Sequence, residues 1–589
     1  MSWYLKEQLQ TVLAREQGAT VFAPGARNGF ALIYPNTYHV GMSNLGLQII
    51  YQAINSRTDT ACERLFMPDR KAEQEYIRTN TPLMTIETQR PLYEFPLIGF
   101  AITFEMDYFN ILKILSLGKV PLLADERVDG DPVIIAGGPC ATFNPEPLTD
   151  FIDVFIIGEG EEVIHELLDQ YYEGCGEHLS REALLLKLAR LEGVYVPRFY
   201  RHAYHDDGTV SKITTVGEVP ETINKRWIKE LDRHSAQTVI VTADTEFKDL
   251  YLIEVARGCG RHCRFCMAGY CYRRPRVRSL DNIMNAVMQA RLLHKKVGLM
   301  GAAISDYPQI DQLCTNITAL GMGLSVASLR ADSLTESLVA ALASSGQRTI
   351  TLAPEAASAR LRNVINKGIT DEHLAKSISM ASQAGIPNVR LYIMIGLPYE
   401  DNSDIEAIAA MAVRIKAYMG SNGSKGLLTL SINPFIPKPF TPFQWLPMAG
   451  VREVEQKLKF LQSALRNQKG IELLIESPKE AYVQGILARG DRRLGAVLLT
   501  ACRLGGSKYF KKALKEHQLQ EAFYLYRKRP LQETLPWQKL NMGFDAAYLK
   551  HELEKAQTGQ FTVPCTEGCT RCGICAAKAK EESSAWDFL

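Results

Sequence analysis

A chain of 589 residues is too long for one hydrophobic core and is expected to divide into three or four domains. Its 46% hydrophobic and 22% charged residues describe an ordinary soluble globular protein, and no run of eighteen apolar residues occurs, which excludes a membrane-spanning helix. The first thirty residues carry charge throughout and lack an apolar core with a cleavage site, so no signal peptide is expected. Of the 13 cysteines, seven sit in two tight clusters with metal-like spacing. That pattern points to metal in a reducing cytoplasm, with oxygen sensitivity, and away from a disulfide framework.

In chain order, Phe30–Pro35 reads as a buried strand and Ser43–Asn55 as the helix after it. Ile98–Phe104 is a second strand followed by the helix FNILKILSL, and Pro132–Pro139 and Asp153–Leu168 repeat the strand, glycine turn and helix. Continuous apolar strands alternating with helices predict a parallel, doubly wound, Rossmann-like sheet. Ligands of such sheets bind beyond the strands' carboxyl ends, where Asn36–Ser43, Gly137–Pro139 and Gly158–Gly160 fall. Residues 176–245 are less regular, with a hairpin turn at Asp206–Val210 and a charged, linker-like run around Asn224–His234.

A second alternation begins at Asp249. YLIEVARG precedes a loop holding Cys259, Cys263 and Cys266 in C-x3-C-x2-C spacing. Strands follow at Val297–Ser305, Leu324–Asp332, Thr349–Ser358, Asn388–Pro398 and Leu427–Pro437, each separated by a helical pattern. Six strand–helix units predict an open, partial (β/α)6 barrel of the TIM type, with its chemistry at the carboxyl ends of the strands. Three thiolates in one loop can hold three irons of a 4Fe–4S cluster and leave the fourth iron open to a substrate. The alternatives are a zinc knuckle that recruits Cys271 or His262, or three unrelated core cysteines.

Beyond the barrel, Val451–Gly470 reads as an amphipathic helix and IELLIES as a strand. Residues 451–560 hold 20 Lys/Arg against 12 Asp/Glu, and Ser507–Pro530 interleaves bases with aromatics. That pattern suits a phosphate backbone with stacked bases, or else a solvated helix face whose aromatics enter a core. The chain closes on Cys565, Cys569, Cys572 and Cys575, spaced C-x3-C-x2-C-x2-C, four thiolates for a second iron–sulfur cluster or for zinc.

The triad spacing, with Phe265 just before the third cysteine, resembles the signature of radical S-adenosylmethionine (radical SAM) enzymes. GLPYED, SINPFIPKPFTPFQW and ARGDRRLG look like one family of uncharacterised bacterial radical SAM proteins with an N-terminal cobalamin-binding-type domain, over residues from about 30 to the C-terminus. The resemblance implies that the open iron chelates SAM. It implies further that Gly301, Ala302 and Ala303 meet the SAM amino group, that Arg330 at the end of the third strand can pair with a carboxylate, that Glu355 and Ser358 contribute at the fourth strand, and that Gly396 lies against the adenine.

Many cobalamin domains carry D-x-H-x-x-G after the first strand, where this chain has Asn36, Tyr38 and Gly41, followed by Ser43. A phenol is a poor cobalt ligand, so bound cobalamin is expected to lack a histidine lower ligand. Gly137 and Gly138 would let its nucleotide tail approach the backbone, and Gly158 marks the exit of the domain; a Rossmann-like docking domain that binds nothing is the alternative. The expected division is 1–175 cobalamin-type domain, 176–245 linker, 246–450 radical SAM core, 451–560 basic accessory domain and 561–589 cysteine-rich tail.

The expected function is SAM cleavage to a 5′-deoxyadenosyl radical, with cobalamin-dependent methyl transfer as the first choice. Methylthiotransferase-like chemistry through the tail cluster, or a non-catalytic iron–sulfur RNA-binding scaffold, are the alternatives. A flavodoxin- or ferredoxin-type electron donor and an RNA or protein substrate are the implied partners.

Overall fold

The structure, a computed structural model, describes residues 2–293, 295–566 and 568–575. It divides into two units, one of residues 1–249, 486–521 and 532–542, the other of the remainder. No helix among the described residues is long and apolar enough to cross a membrane.

In the first unit the apolar run Asn28–Tyr34 forms β1, buried at every position after the first. It is flanked by β2 (Thr60–Phe66) and β3 (Leu97–Ala101), and the sheet continues through β4 (Val133–Gly137) and β5 (Val154–Ile156) to β6 (Val194–Tyr195). The order β2-β1-β3-β4-β5-β6 is parallel except for the last pair. This is a doubly wound, flavodoxin-like order, and it opens a crevice at the switch between β1 and β3. The hairpin expected at Asp206–Val210 joins Tyr200–Tyr204 to Val210–Thr215.

Strand β2 has no apolar run to announce it. TACERLF places Glu63 and Arg64 mid-strand, yet all seven residues are buried. Arg64 is 1% exposed and pairs with two equally buried carboxylates, Glu16 at 2.6 Å and Glu87 at 2.7 Å. Burial pushes the Glu87 carboxyl up against the pull of Arg64, while the two carboxylates hold the buried guanidinium firmly charged.

The β1/β3 switch point is polar. Tyr34 Oη and Thr103 Oγ1 share a hydrogen bond of 2.7 Å, Asn36 Nδ2 donates to Asp107 Oδ1 at 2.8 Å, and Asn110 Nδ2 donates to Pro35 O at 2.9 Å. Burial pushes the Asp107 carboxyl up to about 6, against the hydrogen bonds from Asn36 and Asn110.

The second unit is built on seven parallel strands. The first three are β7 (Leu250–Glu254), β8 (Lys296–Met300) and β9 (Leu324–Val326). The other four are β10 (Thr349–Glu355), β11 (Asn388–Ile395), β12 (Leu428–Pro434) and β13 (Ile471–Ile475). A parallel bridge between Leu329 and Leu352 links the two sets. The partial TIM-like barrel is therefore present, and the strand expected after it pairs with β12 as a seventh member. Helices between the strands bury Ile283, Leu313, Leu338, Ile378 and Met411 against them in one core. Because every strand runs the same way, their carboxyl ends share one edge.

Residues 451–560, read from sequence as one accessory region, divide between the units. In the basic stretch, Phe510 is fully buried in the first unit and packs edge-on against Phe109 at 5.8 Å, while Tyr524 is buried in the second. These rings serve cores and leave none of their faces for stacked bases; Lys508, Lys511, Lys512 and Lys515 stay on the surface.

Two outcomes follow from the buried charges. Arg64→Ala strands Glu16 and Glu87 without a counter-charge and is expected to lower stability by about 3–5 kcal/mol in urea unfolding; a loss below about 1 kcal/mol would contradict the pairing. Asp107 binds its proton more tightly folded than unfolded, so its contribution to stability falls as pH rises from about 4 to about 6. Asp107→Asn should remove that slope and leave the protein more stable at pH 7, by on the order of 1–3 kcal/mol.

Candidate functional site

The loop after β7 is a closed excursion. Ala256–Arg257 pairs antiparallel with Arg276–Val277, so residues 258–275 leave and return through one short ladder. Glu254 pins both sides of that base, at 2.8 Å from Arg257 Nε and 2.9 Å from Arg278 Nη2. Gly258 has φ +81°, and a Cβ there would stand 2.1 Å from Tyr272 O, so no other residue fits.

Inside this loop lie Cys259, Cys263 and Cys266, with Cys263 buried and the other two half-buried. Burial first, then the neighbouring Cys263 and Cys259, pushes the Cys266 thiol up to about 12. Burial and Cys263 likewise raise Cys259. Cys263 thus lies within electrostatic reach of both neighbours, and as thiolates the three require a compensating positive charge.

Two buried cations stand beside them. Arg330, at the exit of β9, places Nη1 4.0 Å from Cys263 Sγ, and donates to Lys367 O at 2.9 Å and to Asp332 Oδ1 at 2.9 Å. Lys367 is 7% exposed, with Nζ 3.2 Å from Glu355 Oε1 and 5.8 Å from the centre of the Phe265 ring. Burial opposes its charge, but Glu355 and then Cys263 hold its ammonium above the ordinary range.

Among the described residues no three His, Cys, Asp or Glu side chains converge as a single metal ion requires. Sulfurs around one tetrahedral zinc stand roughly 3.8 Å apart, since each Zn–S bond is about 2.3 Å. A four-iron cluster holds its thiolates further apart, and three thiols with two buried cations beside them are a donor set such a cluster can use.

The other predicted contacts fall along the same edge. Gly301 follows β8, and a Cβ on it would lie 3.1 Å from Ala256 O at the base of the cysteine loop. Ala302 is exposed and Ala303 half-buried beside it. Glu355 ends β10 at φ +64°. Ser358 caps the helix Ala359–Val364, accepting from Leu361 N at 3.0 Å and donating to Asp404 at 2.5 Å, so its hydroxyl is committed to the fold. Gly396 has φ +78° and donates its amide to Glu400 at 2.9 Å.

Residues that the sequence reading did not single out tie the loop to its surroundings. Arg264, fully buried between two triad cysteines, donates to Asn363 O, Val364 O and Gln560 O at 2.7–3.0 Å and pairs with Glu552 at 3.2 Å. Asn366 takes φ +54° and reaches His262 O at 3.2 Å and Thr562 O at 3.0 Å, while accepting from Thr562 N at 2.7 Å. His262 also takes a positive φ, +57°. Three non-glycine residues in the left-handed region, His262, Glu355 and Asn366, border one loop, and strain of that kind, about 1–3 kcal/mol each, concentrates at functional sites. The Asn-Lys-Gly turn at 366–368 was the signal available for Asn366 and Lys367.

His262, weighed from sequence only as a zinc ligand, is fully buried, and burial and then Arg273 bring its pKa down to about 3. Its Nε2 lies 3.2 Å from Cys565 Sγ. Of the tail cysteines, Cys572 is buried and Cys565, Cys569 and Cys575 are half-buried.

In the first unit the expected cofactor positions are occupied by the chain's own contacts. Tyr38 Oη donates to Glu16 Oε1 at 2.6 Å and its ring packs edge-on against Phe66, so it offers no ligand to a metal. A Cβ on Gly41 would stand 2.3 Å from the Phe66 ring. Ser43 Oγ shares a 2.8 Å hydrogen bond with Thr245 and accepts from Glu246 N at 3.0 Å. Gly137 ends β4, with its carbonyl accepting from Ile102 N at 2.9 Å. Gly138, at φ +98°, passes so close to Ile102 that a Cβ would be 2.7 Å from its carbonyl oxygen, and Gly158, at φ +109°, is equally tight against Arg226.

Residues 46–197 match the family described as radical SAM proteins, N-terminal, and residues 253–412 match the radical SAM superfamily. An uncharacterised protein of Methanocaldococcus jannaschii is 29% identical over 478 residues, 80% of this chain and 90% of the relative. An uncharacterised methyltransferase of Pyrococcus horikoshii is 25% identical over 308 residues, 49% of this chain and 60% of the relative. Among solved structures, the radical S-adenosylmethionine methyltransferase TsrM of Kitasatospora setae, with cobalamin and a 4Fe–4S cluster bound, aligns with a TM-score of 0.47 at 12% identity, over 84% of this chain and 99% of that one. The cobalamin-dependent S-adenosylmethionine radical enzyme OxsB, with aqua-cobalamin bound, aligns with a TM-score of 0.47 at 12% identity, over 95% of this chain and 81% of that one. With a triad loop at the head of a parallel barrel, inside a superfamily match that begins at residue 253 and behind a matching N-terminal domain, this chain belongs to the radical SAM superfamily.

Proposed function

We propose that this protein is a radical SAM enzyme whose cluster is held by Cys259, Cys263 and Cys266. When bound, a 4Fe–4S cluster with one open iron supplies one-electron cleavage of SAM to methionine and a 5′-deoxyadenosyl radical, the electron coming from a flavodoxin- or ferredoxin-type donor. The observation that carries this reading is the pairing of three clustered thiols with buried Arg330 and Lys367. The chain's own part is electrostatic and positional. Arg330 and Lys367, both buried, offset the thiolates' negative charge, and burial strengthens such an interaction. The glycine and alanine turn at 301–303 gives a ligand close access to backbone, and Lys367, fixed by Glu355, presents an ammonium at the same edge.

Within that reading, we infer methyl transfer with cobalamin as the carrier, bound without a histidine lower ligand to cobalt. The family resemblance and the methyltransferase name of the P. horikoshii relative support it. The chain's own contribution is the commitment of Tyr38 to Glu16, which keeps the phenol away from any bound corrin.

The triad is tested by Cys263→Ala after anaerobic reconstitution and reduction with dithionite. Release of 5′-deoxyadenosine should fall to background; release at the parent rate would remove the assignment. The methyl carrier is tested with hydroxocobalamin on gel filtration. It should co-elute at one per chain with a spectrum lacking histidine ligation, and Tyr38→Phe should leave that spectrum unchanged. Cobalamin that elutes free of the protein, oxidised and reduced alike, contradicts the methyl-transfer reading and leaves the triad chemistry standing.

A further inference from the structure

We propose that the C-terminal cysteines and the triad loop form one assembly, joined at His262, whose Nε2–H donates to the Cys565 thiolate and so holds the tail's metal centre. This rests on the reading that both cysteine groups bind metal centres, and it gives His262 a positioning role.

His262 lies between Cys259 and Cys263 in sequence, yet its ring faces the tail. Nε2 is 3.2 Å from Cys565 Sγ, and the Cys565 amide donates to Gly260 O at 2.8 Å. A Cβ on Gly260 would lie 3.3 Å from Cys565 Cβ, so the first tail cysteine rests directly on the triad loop. Neighbouring Cα atoms are about 3.8 Å apart, which puts the backbones of Cys259 and Cys565 within roughly 10 Å.

The partners on the other ring nitrogen decide where the proton sits. Both terminal nitrogens of Arg273 approach His262 Nδ1, each at 3.1 Å, and Arg273 Nη1 also reaches Tyr548 Oη at 3.1 Å. A guanidinium can only donate, and its contacts with Nδ1, at 3.1 Å from both terminal nitrogens, are closer than the 3.4 Å from Nη2 to Nε2, so Nδ1 presents its lone pair and the ring's proton belongs on Nε2, aimed at sulfur. Tyr548 Oη, itself bonded to Nδ1, keeps the ring from turning. A second cation serves the next tail cysteine, with Arg571 Nε 3.3 Å from Cys569 Sγ. The tail's path is fixed by the same loop, through Arg264 to Gln560 O and Asn366 to Thr562.

Hydrogen bonds to metal-bound groups are worth roughly ten- to a hundredfold in metal affinity. The test uses the full chain with Cys259, Cys263 and Cys266 replaced by Ala, loaded anaerobically with ferrous iron and sulfide in one arm and with zinc alone in the other. Transfer of metal from the tail to EDTA is timed. Adding His262→Phe should speed transfer roughly tenfold or more in whichever arm loads, His262→Gln, which keeps an N–H donor, should recover much of the slow rate, and Tyr548→Phe should give a smaller acceleration.

Equal rates with and without His262→Phe would overturn the proposal, as would a tail that takes up neither load. If His262→Phe loses its circular dichroism, Tyr548→Phe decides, and an unchanged rate overturns the proposal. A companion protein with Cys565, Cys569, Cys572 and Cys575 replaced by Ser reports on the triad alone. Absence of iron there counts against the proposed function and leaves the tail result standing.

Discussion

Three thiols can share one cluster only if the loop carrying them has a fixed shape, and residues 258–275 have little regular structure of their own to fix it. The shape is imposed by buried polar side chains that tie the loop to its surroundings. Arg264 satisfies carbonyls on two separate segments, Asn366 bridges the loop to Thr562, and Glu254 ties the two ends of the excursion together. Each is a charged or amide side chain taken out of water, so removing any one would strand its partners at a cost of about 1–3 kcal/mol or more. The loop's geometry is thus set by hydrogen bonds, and the apolar core of the barrel serves to bring the residues that make them to one edge.

The same principle, buried charge used for position, recurs in the first unit. Arg64 with Glu16 and Glu87 fastens the edge strand β2 to the N-terminal segment, and Glu16 in turn holds Tyr38. A histidine at position 38 would have to compete for Glu16 before it could reach a metal. The glycines that resemble cofactor-approach positions do their work within the chain, since Gly41, Gly138 and Gly158 each lie too near another segment to carry a Cβ.

Much of this was legible in the sequence. Continuous apolar runs announced β1, β3 and β4, because a strand buried on both faces admits no polar alternation, and the alternation of strand and helix patterns announced the barrel strands. The triad and the tail were legible from cysteine spacing. Strand β2 was hidden because Glu63 and Arg64 read as surface residues until their partners, distant in the chain, are known. Lys367 and Asn366 were hidden for the same reason: about 100 residues of chain separate them from the cysteines, and only the parallel topology returns them. Ser358 shows the opposite case, a residue whose position suggested a ligand contact and whose hydroxyl serves a helix cap and Asp404. In the basic stretch 507–530, the interleaved aromatics were legible as a pattern, but Phe510 and Tyr524 turn inward.

The central claim is that the triad leaves one iron open for SAM. It is tested most directly by electron paramagnetic resonance of the reduced cluster in protein whose four tail cysteines are replaced by Ser, recorded with and without SAM. The account predicts that SAM changes the g-values, because its amino and carboxylate groups occupy the iron that no cysteine holds. A spectrum indifferent to saturating SAM would contradict it.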